Sequence, residues 1–202
     1  VKIIYISIII LLLVSCKLNS AELKNGDFIF HESLSTQSRA LKYATGSRYT
    51  HVGIIYIRKG KPYVYEAIGP VKLTPLDSFI RRGVGGHYVV KRLKYAEDKL
   101  TPENIKKLKA QGRRLKGLPY DPGFMWSDNR IYCSELVWKI YKRSMGIEIG
   151  KLLRYRDFNL SHHVVEKLIS KRFGKAGVPL DEPVISPGEM FRSDKLRTVL
   201  VK

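Results

Sequence analysis

The sequence predicts an α+β domain, an antiparallel sheet with helices packed on one side. Three observations carry that expectation. Two alternating apolar runs, Thr50–Ile57 (THVGIIYI) and Pro62–Ile68 (PYVYEAI), flank Arg58-Lys59-Gly60-Lys61, which is a hairpin signal. The stretch from Thr101 to Gly117 carries helix punctuation at both ends. The stretch Arg130–Tyr141 (RIYCSELVWKIY) spaces its apolar residues with a helical period. With 202 residues, 44% of them hydrophobic, the chain is long enough for one main domain with a core that needs no disulfide staples.

Taken in chain order, residues 1–15 (VKIIYISIIILLLVS) place one Lys before an almost unbroken apolar run. That is the pattern of an export signal, too short for a comfortable membrane span. Leu13–Cys16 (LVSC) resembles a bacterial lipobox, which would make Cys16 the lipidated first residue. The rival is a cut after Ala21, where Asn19 is a poor small-residue match; a third reading is an uncleaved anchor helix. Residues 16–25 form a polar tether and 26–202 the folded domain.

Gly26–Phe30 (GDFIF) reads as a strand. Ser35–Thr45 reads as a helix capped by Ser35 or Thr36. After the hairpin, His87–Leu93 (HYVVKRL) is another strand. In the next helix Thr101 is the cap, Pro102 opens the first turn, Glu103 meets the positive dipole end and Gly117 follows the last turn. Ile105, Leu108 and Leu115 make its narrow apolar stripe, and its other faces are basic. The Cys133 helix runs to about Met145 and stops at Gly146. A further helix covers about Ser161 to Arg172, Ser186 and Glu189 open a capping box, and Arg197–Val201 is a last strand. The sequence has no internal repeat and no low-complexity tract.

The formal net charge is +19, from 37 Lys and Arg against 18 Asp and Glu. Such a surplus favours polyanionic partners: nucleic acid, anionic lipid heads or acidic envelope polymers. The basic residues are spread along the chain, which also suits a plain solvated surface. An export signal without a nucleic-acid motif argues against nucleic acid. The expected location is the bacterial cell envelope, as a lipoprotein facing the periplasm or as a soluble exported protein.

Removal of the leader leaves Cys133 as the only free thiol, and a lone thiol in an oxidising space is a flag for reactivity. Cys133 falls three and four residues before Leu136 and Val137, so it faces inward at the first turn of its helix. Unpaired backbone amides there carry partial positive charge and favour a thiolate. Inert burial is the alternative for any free cysteine. Activation needs a base.

Five histidines are available. His162 and His163 are adjacent and cannot share a helix face, which weakens a metal reading; no metal or other cofactor is expected. His51 stands apart because of the hairpin. A turn at Lys59-Gly60 sets Ile57 opposite Pro62 and Gly53 opposite Glu66, so His51, Gly53, Ile55 and Glu66 share one face. His51 and Glu66 become diagonal neighbours across a glycine. A carboxylate on an otherwise apolar face needs a partner, and an imidazole is a suitable one. The alternatives are that Glu66 pairs with a Lys or Arg, or faces solvent. A one-residue slip would put the pair on opposite faces. Thiol, base and orienter together are the parts of a metal-free sulfur nucleophile, with the backbone amide of Cys133 as a plausible oxyanion donor.

Tyr49–Leu76 (YTHVGIIYIRKGKPYVYEAIGPVKLTPL), Lys116–Asp121 (KGLPYD) and Tyr132–Tyr141 (YCSELVWKIY) together resemble the YiiX/YebB-like group of permuted papain-fold proteins, related to NlpC/P60 peptidases and to lecithin–retinol-acyltransferase-like enzymes. The likeness runs from about Gly26 to Val184–Phe191 (VISPGEMF). It implies a small antiparallel barrel packed on the cysteine helix. It also implies amide or ester chemistry through a thioester, with Cys133 as nucleophile, His51 as general base and Glu66 as orienter. Tyr120, Asp121 and Tyr132 are candidates to line the substrate cleft, while Trp126 reads as loop packing.

The first expected function is therefore a cell-envelope cysteine hydrolase cutting an amide. The second is the same triad acting on lipid, as an acyltransferase or thioesterase. The third is a non-catalytic basic binding module. The expected partners are a peptide or an acyl-containing small substrate, and a membrane reached through the lipid anchor.

Overall fold

A computed structural model describes residues 22–202. The export signal at 1–15, both cut sites, lipidation at Cys16 and most of the tether lie outside the described residues. Six strands, β1 (Phe28–His31), β2 (His51–Arg58), β3 (Lys61–Glu66), β4 (Lys72–Pro75), β5 (Val89–Leu93) and β8 (Leu196–Val201), form one sheet. All neighbours are antiparallel, in the order β4-β3-β2-β1-β5-β8. Two short strands, β6 (Leu153–Arg154) and β7 (Pro183–Val184), pair separately.

The β2–β3 turn is set by Lys59 and Gly60, both at positive φ (50° and 73°). That is the backbone of a two-residue turn whose twist matches its strands. It locks Ile57 to Pro62 and Ile54 to Tyr65, the register read from the sequence.

One sheet face carries Phe28, Phe30, Val52, Ile54, Tyr56 and Tyr65, packed on α4 (Pro102–Leu115) and α5 (Cys133–Met145). The other carries Ile29, Ile55, Val64 and Val90, covered by Phe79 of α2 (Leu76–Ile80) and by Tyr88. The expectation of helices on one side only is corrected by α2. The cause is visible in β2, where His51–Tyr56 are buried without alternation, as a strand covered on both faces must be.

Helix α4 is capped as expected: Thr101 Oγ1 accepts from the Asn104 amide at 3.3 Å, and Pro102 sits in the first turn. Its seat on the sheet also uses Gly112, where an added Cβ would lie 3.1 Å from the Tyr56 hydroxyl. Helix α1 (Ser38–Thr45) starts three residues late, and neither Ser35 nor Thr36 caps it. Tertiary bonds fix its start instead. Ser38 Oγ meets Thr50 Oγ1 at 2.7 Å in the interior, and the Gln37 side chain is drawn away to Tyr120 and Arg172.

A short α3 (Ala96–Lys99), not foreseen, follows β5. Helix α6 (His163–Phe173) is capped by His162 Nδ1, which accepts from the Val164 amide at 3.2 Å. Ser186 caps α7 (Pro187–Arg192) through the Glu189 amide at 3.1 Å. The Glu189 carboxylate goes to Arg192 rather than back to Ser186, so only half of the expected capping box forms.

Candidate active site

Cys133 is the first residue of α5 and is 3% exposed. Leu136, Val137 and Ile140, fully buried on the same helix, press it onto the sheet. The helix start is pinned by Ser134 Oγ donating to the Ile185 carbonyl at 2.7 Å. Tyr132 enters it in extended conformation.

His51 opens β2 and pairs with His31 of β1. The β2–β3 ladder stops at Ile54–Tyr65. Strand alternation turns the Val52 amide toward the β3 side, where pairing has ended. The first turn of α5 comes to that opening. There the His51 ring and the backbone amides of Val52 and Ser134 lie near enough to act on the charge of the Cys133 thiol. His51 Nε2 bonds Glu66 Oε2 at 2.6 Å, which leaves Nδ1 for the sulfur. Glu66, with no exposure, takes the Arg82 Nη2 donor on its other oxygen at 2.5 Å. Both partners weighed for Glu66, an imidazole and a basic side chain, are therefore present.

Gly53 lets this happen. A Cβ there would lie 2.3 Å from Val64 Cγ1, 3.0 Å from the Tyr65 carbonyl oxygen and 3.4 Å from Glu66 Cβ. Gly53→Ala is expected to destabilise the fold by about 1–3 kcal/mol through overpacking. It should also lower activity by displacing Glu66. Denaturant melts and steady-state rates on the same preparation check both; an unchanged midpoint would remove the steric argument.

Burial alone would push the Cys133 thiol up, but the charge and hydrogen bond of His51, then the two amides, hold it below the ordinary range. Burial opposes the His51 cation, yet the Cys133 charge and hydrogen bond, followed by those of Glu66, raise its pKa to about 9. Burial also opposes the Glu66 anion, and His51 and Arg82 bring it down to about 2. All three shifts run toward the charged forms: thiolate, imidazolium and carboxylate. His31 stacks on Phe79, with centroids 4.2 Å apart, and lies 5.3 Å from the His51 ring. Burial, then the His51 and Arg82 charges, lower its pKa to about 2. It is a neutral ring packed beside His51.

The three cleft candidates separate. The Tyr120 hydroxyl accepts from Gln37 Nε2 at 2.8 Å, and Gln37 Oε1 accepts from Arg172 at 2.6 Å. The Cys133 charge acts on this hydroxyl. Asp121 is corrected: its carboxylate accepts the Gly123 and Met125 amides at 2.8 and 2.7 Å, so it shapes the turn and does not face substrate. Tyr132 lines the apolar groove, and its hydroxyl accepts from the Ile185 amide at 3.2 Å. Trp126 packs edge-on against Trp138 with centroids 5.2 Å apart, as loop packing.

An apolar groove that includes Cys133 lies between α1 and α6. Phe124, Tyr132, Val165, Ile169, Phe173 and Val184 line it. A second, polar cleft opens at His51, Arg82 and Tyr120. Arg82, Gln37 and His31 went unnoticed in the sequence. Arg82 is one of 37 basic residues and has no local signal. His31 ends an apolar strand, which marked it only as structural.

The chain is 43% identical over 192 residues to the uncharacterized protein YiiX of Escherichia coli K12, covering 95% of this chain and 93% of YiiX. It superposes on the crystal structure of metalloprotein YiiX from Escherichia coli O157:H7 with a TM-score of 0.84 at 43% identity, covering 89% of this chain and 98% of that one. The model of the permuted papain-like amidases of the YaeF/YiiX type matches residues 22–200. A cysteine at a helix start, facing a histidine carried on an earlier strand, is the order such a permuted fold requires, and the chain belongs to the permuted papain-like amidase family YaeF/YiiX, C92.

Proposed function

We propose that this chain cleaves amides whose acyl part is apolar, through a thioester on Cys133, with His51 as general acid and base and Glu66 as its orienter. The observation that carries this reading is the apolar groove that has Cys133 in its lining. An acyl chain seated there presents its carbonyl carbon to the thiolate. Attack forms a tetrahedral oxyanion, for which the α5 N-terminus and the Tyr120 hydroxyl are the available donors. His51 gives its proton to the departing nitrogen and the C–N bond breaks. His51 then takes a proton from water as the water attacks the thioester, and the acid leaves.

The same groove favours a second reading, in which the acyl group passes to an acceptor other than water. Both readings share the acyl-enzyme and differ in its fate. The test is intact-mass analysis after mixing with p-nitrophenyl dodecanoate. The expected result is one dodecanoyl group on Cys133, decaying to free acid. An adduct that persists in water and passes to the amide or ester only after an amine or alcohol acceptor is added would favour transfer, and no adduct on Cys133 would reject both. An envelope location, with an anchor at Cys16, belongs to the same proposal, since it would set the groove beside acyl-rich lipid.

The O157:H7 relative is described as a metalloprotein. Among the described residues here, no three His, Cys, Asp or Glu side chains converge as a ligand set. His51 and Glu66 are already committed to each other and to Cys133 and Arg82. These residues do not fit a metal centre, and no step is routed through one.

A further inference from the structure

We propose that the polar cleft on the far side of His51 holds a leaving group that carries a carboxylate, so that the substrates are N-acyl amino acids; this rests on the acyl-enzyme reading above. The two clefts divide the substrate at the scissile bond. The apolar groove includes Cys133 and takes the acyl chain. The second cleft includes His51, the group that must protonate the departing nitrogen, so the amine half lies there.

The character of that cleft selects the amine. Its walls mix polar groups, from His31, Gln37, Tyr120, Arg82, Ser33, Ser35 and Thr36, with apolar ones from Leu34, Ala67 and Ile68, and no Asp or Glu is among them. Glu66, the nearest acid, is fully buried with both oxygens occupied. Arg82 spends Nη2 on Glu66 and Nε on the Ser78 carbonyl. Among the described residues no acceptor takes its Nη1, and its side chain is 31% exposed. A guanidinium edge therefore faces the cleft. It sits one carboxylate away from the imidazole, because Glu66 bridges the two at 2.6 and 2.5 Å. Arginine also suits a planar anion through paired donors.

The chemistry balances without a further reactant. The thiolate attacks the acyl carbon, the amide C–N bond breaks, the His51 proton goes to nitrogen and a free amino acid leaves. Water then releases the fatty acid.

The test compares N-dodecanoyl-glycine with N-dodecanoyl-glycinamide, identical but for the carboxylate. The wild-type protein is expected to favour the carboxylate in kcat/KM by about tenfold or more, a differential of about 1.4 kcal/mol. That preference should shrink with added salt. Arg82→Gln should bring the ratio close to one, and Arg82→Lys should keep part of it. A wild-type ratio near one or inverted overturns the proposal. So does an Arg82→Gln variant that slows both substrates equally with the ratio intact, since that is what a pure support for Glu66 would do. If Arg82→Gln does not fold, the salt dependence of the wild-type ratio decides. Acylation of Cys133 by p-nitrophenyl dodecanoate, whose leaving group has no carboxylate, is read alongside. Its absence removes the acyl-enzyme, whereas its presence with no carboxylate preference removes only the cleft assignment.

Discussion

Cys133→Ala is expected to lower hydrolysis of an acyl amide by about four to six orders of magnitude, in line with loss of the nucleophile in other covalent hydrolases. The size follows from what is removed. On the proposed mechanism the sulfur is the atom that splits one difficult displacement into two easier ones. Nothing else at the site substitutes for it: His51 could still act as a base on water, but the attack would lose the covalent intermediate. The fold should survive, because Cys133 borders the apolar groove and its loss enlarges existing space rather than opening a sealed cavity. A cost of about 1 kcal/mol or less is expected for so small a truncation. Cys133→Ser should keep the volume and still be nearly inactive, since an alcohol is not lowered into the range where His51 can hold its proton. Rates with the amide and the p-nitrophenyl ester, next to thermal melts of all three proteins, check this. Folded Cys133→Ala retaining a tenth or more of the wild-type rate would remove Cys133 as nucleophile.

The parts of this site that were legible are those fixed by local rules. Lys59-Gly60 set one register, and that register alone put His51 and Glu66 on a shared face across Gly53. Thr101, Pro102 and Ser186 marked helix starts because their caps act within three residues. What the sequence hid depends on long loops closing. Arg82 reaches Glu66 across 16 positions, Gln37 reaches Tyr120 across 83, and Arg172 reaches Gln37 across 135. No periodicity reports such contacts. The same distance explains the late start of α1, where bonds to Thr50, Tyr120 and Arg172 override the local capping choice of Ser35 or Thr36. Asp121 misled for the opposite reason. An acidic residue beside an aromatic looks like a cleft group, but Pro-Gly follows it, and its carboxylate organises that turn.

Glu66→Gln is expected to reduce kcat/KM by about two to four orders of magnitude and to move the alkaline limb of the pH profile to lower pH. The amide can present an N–H to the His51 ring, which stabilises the wrong tautomer for receiving the thiol proton. The direction of the pH effect follows from the two opposed shifts. Cys133 lies below its ordinary range, so the thiolate forms at lower pH than that of a free thiol, and activity rises as it forms. His51 is raised to about 9, so the imidazolium persists until about that pH and activity falls above it. The two limbs belong to the pair rather than to either residue alone. The Cys133 charge and hydrogen bond outrank Glu66 among the causes that raise His51, so the variant should narrow the profile from its alkaline side without abolishing it. Stability gives a second, independent reading. Glu66 folds with its pKa lowered from 4.5 to about 2. Its contribution is present above about 4.5 and is lost as pH falls toward 2. The wild-type melting temperature should carry a fall across that acid window which Glu66→Gln lacks. Near neutrality the variant should be the less stable of the two, because Arg82 loses its buried counter-charge. If the variant keeps both the wild-type rate and the alkaline limb, Glu66 does not govern His51, and the carboxylate serves Arg82 alone.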